Sequence, residues 1–292
     1  MPYKNGKEVY NKKIFTSEEL KDIKESYLKG ESSVSIGKRY GVTHKPILRE
    51  LHNMGIGVDQ KRSIRKYKLD ENYFDTIDTP NKAYILGFLH SDGSNSINKS
   101  TVSLSLQEED REILERIRIE LKSEKPLEFL DYSNKHDFGY SYKNQYRLIM
   151  FSKHMCEQLS IKGIVQNKSL VIGFPNWLDE TLLPHYIRGV YDGDGSICRS
   201  YRNDNNLPIL VTITATSSFC DELKNICLKT LNINSGIYDA SCHNGITKVF
   251  VLSGRNIAKK FLDWIYKDAD LFLQRKYDRY CEYYNINNSL SA

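Results

Sequence analysis

The sequence predicts an α+β protein in which one fold unit of about a hundred residues is used twice, preceded by a small all-α module. Tyr84–Gly93 (YILGFLHSDG) and Tyr186–Gly195 (YIRGVYDGDG) share five identities in ten positions. Each is followed by the apolar–polar alternation of a half-buried strand, at Val102–Leu106 and Val211–Ala215. The residues before position 56 instead carry three short apolar patterns at helical spacing.

At 292 residues, 40% apolar and 27% charged, the chain has room for two modules with packed cores. No apolar run approaches the roughly 18 residues that span a bilayer, and residues 1–13 have no targeting pattern, so the expected location is the cytoplasm. The six cysteines include no C-x-x-C pair and no spaced Cys/His quartet, which argues for reduced packing residues. The charge is uneven. Residues 1–70 hold 16 Lys/Arg against 9 Asp/Glu, whereas the rest hold 26 against 28, so the basic excess is N-terminal.

In the first module, Thr16 or Ser17 followed by Glu18 and Glu19 is an N-cap signature, and Leu20, Ile23 and Tyr27 continue a helix to Gly30. Ser32 or Ser33 caps a second short helix, and Gly41 suits a left-handed turn within Tyr40–Thr43. Pro46 lies in the first turn of a third helix, with Ile47, Leu48, Leu51 and Met54 on one face and Gly55 at its end. This arrangement resembles a helix-turn-helix DNA-binding module. The resemblance implies that Thr43, His44, Lys45 and Arg49 approach a major groove. A three-helix protein-docking bundle is the other reading of the same pattern. The module is placed at residues 1–58 and a basic linker at 59–80. There Lys61, Arg62, Arg65, Lys66 and Lys68 fall within eight residues, and Arg62, Arg65 and Lys66 are candidates for tracking phosphates or a minor groove.

The second module repeats in order. After each signature segment and alternating strand comes a helical pattern, Leu114, Ile117, Leu121 in one copy and Leu223, Ile226, Leu231 in the other. Hairpin-like stretches follow, ending Leu148–Ser152 and Val249–Ser253, then another helix each. Asn167-Lys168-Ser169 and Arg275-Lys276-Tyr277 close the copies, and all landmarks repeat at offsets between 101 and 109 residues.

The two Gly-x-x-x-x-Asp-Gly segments resemble the paired signature of the LAGLIDADG homing endonucleases, and the resemblance spans residues 81–284. It implies two pseudo-symmetric αββαββα repeats, 81–173 and 184–284, whose signature helices pack together beneath a DNA-binding saddle of antiparallel strands. Gly87 and Gly189, each about 1 kcal/mol worse than alanine inside a helix, fit if they let those helices approach closely. Gly93 and Gly195 fit as C-terminal caps. Asp92 and Asp194 then meet at two helix C-termini, where the dipole and their mutual repulsion both oppose ionisation, a conflict that a divalent cation resolves.

The implied activity is metal-dependent hydrolysis of both strands of duplex DNA, as in intron homing. Asp92 and Asp194 carry Mg²⁺ or Mn²⁺, Gly93 and Gly195 are counted in the metal site, and Lys168 and Lys276 match the family's peripheral basic residue near each scissile phosphate. His90 stands where the signature usually has an acid and reads as a local hydrogen-bonding variant. Arg188 adds a cation with no evident purpose. Strand alternation turns Ser103, Ser105 and Gln107 outward in one copy and Thr212, Thr214 and Thr216 in the other; with Arg199, Arg202 and Asn203 they are the candidate groove contacts.

Two repeats in one chain imply a monomer on a long asymmetric duplex site. The ends of the chain lack a splicing nucleophile and a terminal His-Asn, which disfavours an intein-embedded enzyme. A DNA-binding regulator that has lost cleavage and an RNA-splicing maturase are the alternatives on the same scaffold. Cys242-His243 reads as ordinary loop chemistry, and Trp264 with Tyr277, Tyr280, Tyr283 and Tyr284 as core or wet interface.

Overall fold

The computed structural model describes residues 3–4, 7–8, 14–56, 67–133, 136–137, 140–166, 168, 171–199, 208–240 and 247–286. The chain divides into two compact units, Met1–Tyr67 and Lys68–Ala292.

In the first unit, β1 (Tyr3–Lys4) and β2 (Lys7–Glu8) form a short antiparallel ladder. Helix α1 (Ser17–Leu28) opens with the expected capping box, in which the Thr16 hydroxyl accepts from the Glu19 amide and the Glu19 carboxylate accepts from the Thr16 amide. Ser32 caps α2 (Ser33–Arg39), and Gly41, with φ +68°, turns the chain into α3 (His44–Asn53). Phe15, Ile23, Ile36, Ile47 and Leu51 form the core between the three helices. A Cβ on Gly37 would lie 2.8 Å from the Val42 carbonyl oxygen, so α2 and the turn can approach only at a glycine.

The second unit contains the expected duplication. The first repeat runs α4 (Pro80–Ser91), β3 (Gly93–Ser96), β4 (Thr101–Gln107), α5 (Arg111–Glu120), β5 (Glu128–Leu130), the short pair β6 (His136–Asp137) and β7 (Tyr140–Ser141), β8 (Gln145–Phe151) and α6 (Lys153–Ile161). The second runs α7 (Leu183–Asp194), β9 (Gly195–Arg199), β10 (Ile209–Thr216), α8 (Ser217–Leu231), β11 (Gly236–Asp239), β12 (Thr247–Ser253), α9 (Arg255–Tyr266) and α10 (Gln274–Tyr284). Each repeat folds into a four-stranded antiparallel sheet of the same order, β3-β4-β8-β5 and β9-β10-β12-β11.

One continuous core joins the repeats. On β4, Val102, Leu104 and Leu106 are buried, as the alternation predicts; Val211 and Ile213 do the same on β10. Tyr73 and Phe74 also belong to this core, so residues 68–79, expected in the linker, are an integral part of the second unit. Among the described residues no helix is long and apolar enough to cross a membrane.

Candidate functional site

The site is positioned by the contact between α4 and α7. A Cβ on Gly87 would fall 2.1 Å from the Tyr186 carbonyl oxygen, and one on Gly189 would fall 2.1 Å from that of Tyr84. The two mid-helix glycines therefore play the same part from opposite sides, letting backbone meet backbone. The contact is fastened by a second reciprocal pair. Tyr84 Oη donates to Asp192 Oδ2 at 2.9 Å, and Tyr186 Oη lies 2.8 Å from His90 Nδ1. His90 thus takes the hydrogen-bonding role that Asp192 has in the other copy, and burial holds its pKa down at about 4. Burial pushes the Asp192 carboxyl up to about 6.

Arg188 is fully buried, with Nε donating to the Leu271 carbonyl and Nη1 to that of Ile265, and its guanidinium lies over the Tyr84 ring. The cation that the sequence leaves unexplained ties α7 to the chain leaving α9.

The same helices deliver Asp92 and Asp194. Both side chains keep an exposed face. Ser91, next to Asp92 in the chain, donates to the Val190 carbonyl of α7 at 3.1 Å. A Cβ on Gly193, next to Asp194, would lie 3.3 Å from Asp92 Oδ2 and 2.2 Å from Ser91 Cβ, so Gly193 is a further obligatory close approach. Packed walls strip hydration from both carboxyls and raise both pKa values, Asp194 to about 6. For Asp194 the charge of Asp92 is the next cause, whereas Lys276, Lys168 and Arg275 oppose the shift at Asp92. Among the described residues no side chain donates a hydrogen bond to Asp92, and no third His, Cys, Asp or Glu joins the pair in a metal-binding group. Two hard carboxylate donors open to solvent, with no hydrogen-bonded cation among the described residues, are a fitting partial set for a Mg²⁺-like ion whose other ligands are water or phosphate.

The lysines are not peripheral. Lys168 is buried, with Nζ donating to the carbonyls of Ser91 and Gly93. Lys276, also buried, donates to those of Tyr191, Asp192 and Gly195 at 2.6 to 2.8 Å, and desolvation lowers its pKa to about 8. An ammonium taken out of water needs such acceptors. The carbonyls of Gly93 and Gly195, counted in the metal site from the sequence, therefore accept from lysine here. Neither glycine is a left-handed cap: both begin strands, and Gly195 has φ −92°, ψ 164°. Glycine is required there for space, because a Cβ would lie 2.5 Å from the carbonyl oxygens of Leu89 and Tyr191 respectively.

On the outward sheet faces Ser103, Ser105 and Thr212 are half-buried, and Gln107 and Thr214 are exposed. Thr216, expected among them, is buried instead: it ends β10, and its hydroxyl caps α8 by accepting from the Phe219 amide while donating to the Ile172 carbonyl. Arg199 is exposed and stacks over the Tyr283 ring at 4.7 Å. In the first unit Thr43, His44 and Lys45 are exposed at the start of α3 and Arg49 is exposed in its middle, paired to Glu50 at 2.7 Å. Arg62, Arg65, Lys66, Arg202, Asn203, Cys242 and His243 lie outside the described residues.

The sequence missed Ser94, Arg147, Ile149, Val249, Val251 and Tyr238, which share the outward faces. The alternation used for β4 and β10 also runs through β8 and β12 and could have found four of them. It also missed the ion pair between Arg275 and the buried Asp110, which links the repeats, because no local pattern connects residues 165 positions apart.

No family model matches this chain, and no curated protein matches it. Among solved structures it is similar to the meganuclease I-SmaMI bound to uncleaveable DNA, at 12% identity and a TM-score of 0.45, over 68% of this chain and 88% of that one. It is also similar to the LAGLIDADG meganuclease I-AabMI bound to uncleaved DNA, at 14% identity and a TM-score of 0.44, over 72% and 91% of the two chains. The N-terminal LAGLIDADG domain of WhiA is a third, at 15% identity and a TM-score of 0.40, over 67% and 89%. At these identities the likeness concerns fold alone. The two-repeat α+β architecture that the signature segments predict is present in this chain's own elements, with paired helices, twin sheets and two aspartates between them.

Proposed function

We propose that the protein is a site-specific double-strand DNA endonuclease of the homing type, acting as a monomer on a long asymmetric site. The observation that carries this reading is the Asp92/Asp194 pair, two exposed carboxyls set side by side at the ends of interlocked helices and raised in pKa by desolvation. Lys168, Lys276 and Arg275 offset this only in part, and among the described residues none of them forms an ion pair with either carboxyl, at the place where two strand-built faces begin.

Asp92 and Asp194 would hold Mg²⁺ or Mn²⁺. When bound, the metal supplies Lewis-acid polarisation of the phosphodiester and stabilisation of the leaving oxygen. The chain's own residues set the geometry. Gly87, Gly189 and Gly193 bring the helices into backbone contact, Tyr84 and Tyr186 fasten them, and the two carboxylates are thereby fixed before substrate arrives. The exposed Thr43, His44, Lys45 and Arg49 would add contacts beyond the saddle.

One observation favours a second reading, a binding protein without cleavage: both site lysines spend their ammonium groups on backbone carbonyls, so neither extends toward a phosphate. The experiment that decides is incubation with a randomised duplex library in Mg²⁺ or Mn²⁺ and in EDTA, followed by end sequencing. Metal-dependent ends at one long motif support the endonuclease. Enrichment of a bound motif without ends supports the binding protein and overturns the nuclease.

A further inference from the structure

The two sheets have the same strand order and register, so their outward faces can be compared position by position. In the first repeat Ser105 lies opposite Arg147 and Arg147 opposite Glu128. In the second the corresponding row is Thr214, Val249, Tyr238. One row farther along, Ser94, Ser103 and Ile149 correspond to Ser196, Thr212 and Val251. The pleat assigns these positions to the face opposite the core, because their neighbours Leu104, Leu148, Ile213, Phe250 and Leu252 are buried.

The second of these rows is alike in the two repeats, and the chemistry differs in the first. The first face presents hydroxyls, the apolar Ile149 and Phe151, and an ion pair in which the Arg147 guanidinium is held by Glu128 at 2.7 and 3.2 Å. In the second, the arginine has become valine and the glutamate tyrosine. Val249 and Val251 are half-buried without joining the core, and Tyr238 is 62% exposed. Leu210 is half-buried on the same face, and Arg199, Lys248 and Asp239 all fall on the opposite parity, so among the described residues no outward strand position of this sheet is charged. In the major groove the group that rewards such a surface is the C5-methyl of thymine, whereas guanine O6 and N7 reward an arginine.

We infer that the second repeat reads a thymine methyl group through Val249 and Thr214, where the first repeat reads hydrogen-bonding base edges through Arg147 and Ser105. The inference rests on the proposed action on duplex DNA and specifies which residues give the two half-sites their different character. Glu128 is a positioning residue, holding Nε and Nη2 of the guanidinium.

The test uses the full chain and the duplex motif recovered above, with deoxyuridine replacing thymine in one half-site at a time, a change that removes only the methyl. At the position read by Val249 the replacement should weaken binding by about fourfold, the worth of one buried methyl, while at the equivalent position of the other half, read by Arg147, binding changes by less than twofold. Val249→Ser should abolish the uracil penalty in the sensitive half, which assigns that half to the second repeat. Equal penalties in both halves, or a penalty that survives in V249S, would overturn the inference while leaving the endonuclease reading intact. Failure to bind the unmodified duplex would overturn both.

Discussion

Tyr186 Oη lies 2.8 Å from His90 Nδ1, and this buried contact is the counterpart of the Tyr84–Asp192 hydrogen bond across the same helix pair. What the position of His90 and Asp192 needs is a partner for the facing tyrosine. An imidazole and a carboxylate both qualify, which explains how the two copies can differ there without changing the helix packing.

Replacing His90 with phenylalanine leaves the Tyr186 hydroxyl buried and unpartnered, and should lower unfolding free energy by about 1–3 kcal/mol at pH 7.5. The penalty should depend on pH. Because the folded pKa is about 4 against an ordinary 6.5, the unfolded chain takes up the proton first as pH falls. The stability contributed by neutral His90 is present above pH 6.5 and lost on the way to pH 4. Denaturant melts of wild type and H90F should therefore converge over that interval, by up to roughly 3 kcal/mol. A difference independent of pH would show that His90 is not held neutral.

Gly87→Ala and Gly189→Ala should each be strongly destabilising, although alanine is the better helix former by about 1 kcal/mol. The added Cβ would fall 2.1 Å from a carbonyl oxygen of the other helix, and backbone on both sides cannot yield cheaply. We expect losses of at least about 3 kcal/mol in thermal or denaturant unfolding, with each variant behaving alike because the contacts are reciprocal. A neutral substitution at either position would contradict the close helix contact.

In metal-free protein at pH 7.5, Asp194→Asn should stabilise the fold. A carboxyl whose folded pKa is raised to about 6 loses stability as pH climbs from the ordinary carboxylate range through 6, and asparagine removes that penalty. Its exposed face lets solvent screen the effect, so the expected gain is about 1 kcal/mol. Saturating Mg²⁺ should raise the melting temperature of wild type and not of D194N. A metal-induced shift of equal size in both would place the ion elsewhere.

Deleting residues 1–58 should weaken duplex binding and flatten its dependence on salt, since the removed segment carries cations and the exposed Lys45 and Arg49. The check is a titration of binding against salt concentration for both forms. An unchanged slope would remove the first unit from the interface.

How far the fold was legible can be argued from these residues. The duplication was visible because Gly87/Gly189, Asp92/Asp194 and the strand alternations are local patterns recurring at nearly constant offset. Gly41 and the Thr16/Glu19 box were legible for the same reason. What escaped depends on distant chain. Arg188 has no local meaning, since its acceptors at Ile265 and Leu271 are 77 and 83 residues away. Gly93 and Gly195 looked like caps because glycine after a helix usually is one. Gly195 is indeed the C-cap of α7, its amide donating to the Tyr191 carbonyl, but it is extended, and Gly93 follows the cap Asp92; both are crowded by the preceding helical turn as they enter β3 and β9. Thr216 obeyed the alternation to the end of β10 but was claimed by the helix that follows, a conflict between strand period and capping that the helix wins.

The most direct test of the central claim is strand-resolved cleavage of the recovered duplex motif by wild type, Asp92→Asn and Asp194→Asn in Mg²⁺, with binding measured in parallel. The account predicts metal-dependent cutting of both strands by wild type, loss of double-strand cleavage in each variant by at least about a hundredfold, and binding within a few-fold of wild type, because each change removes a metal ligand and no groove contact. Double-strand cutting at the wild-type rate by either variant would contradict it.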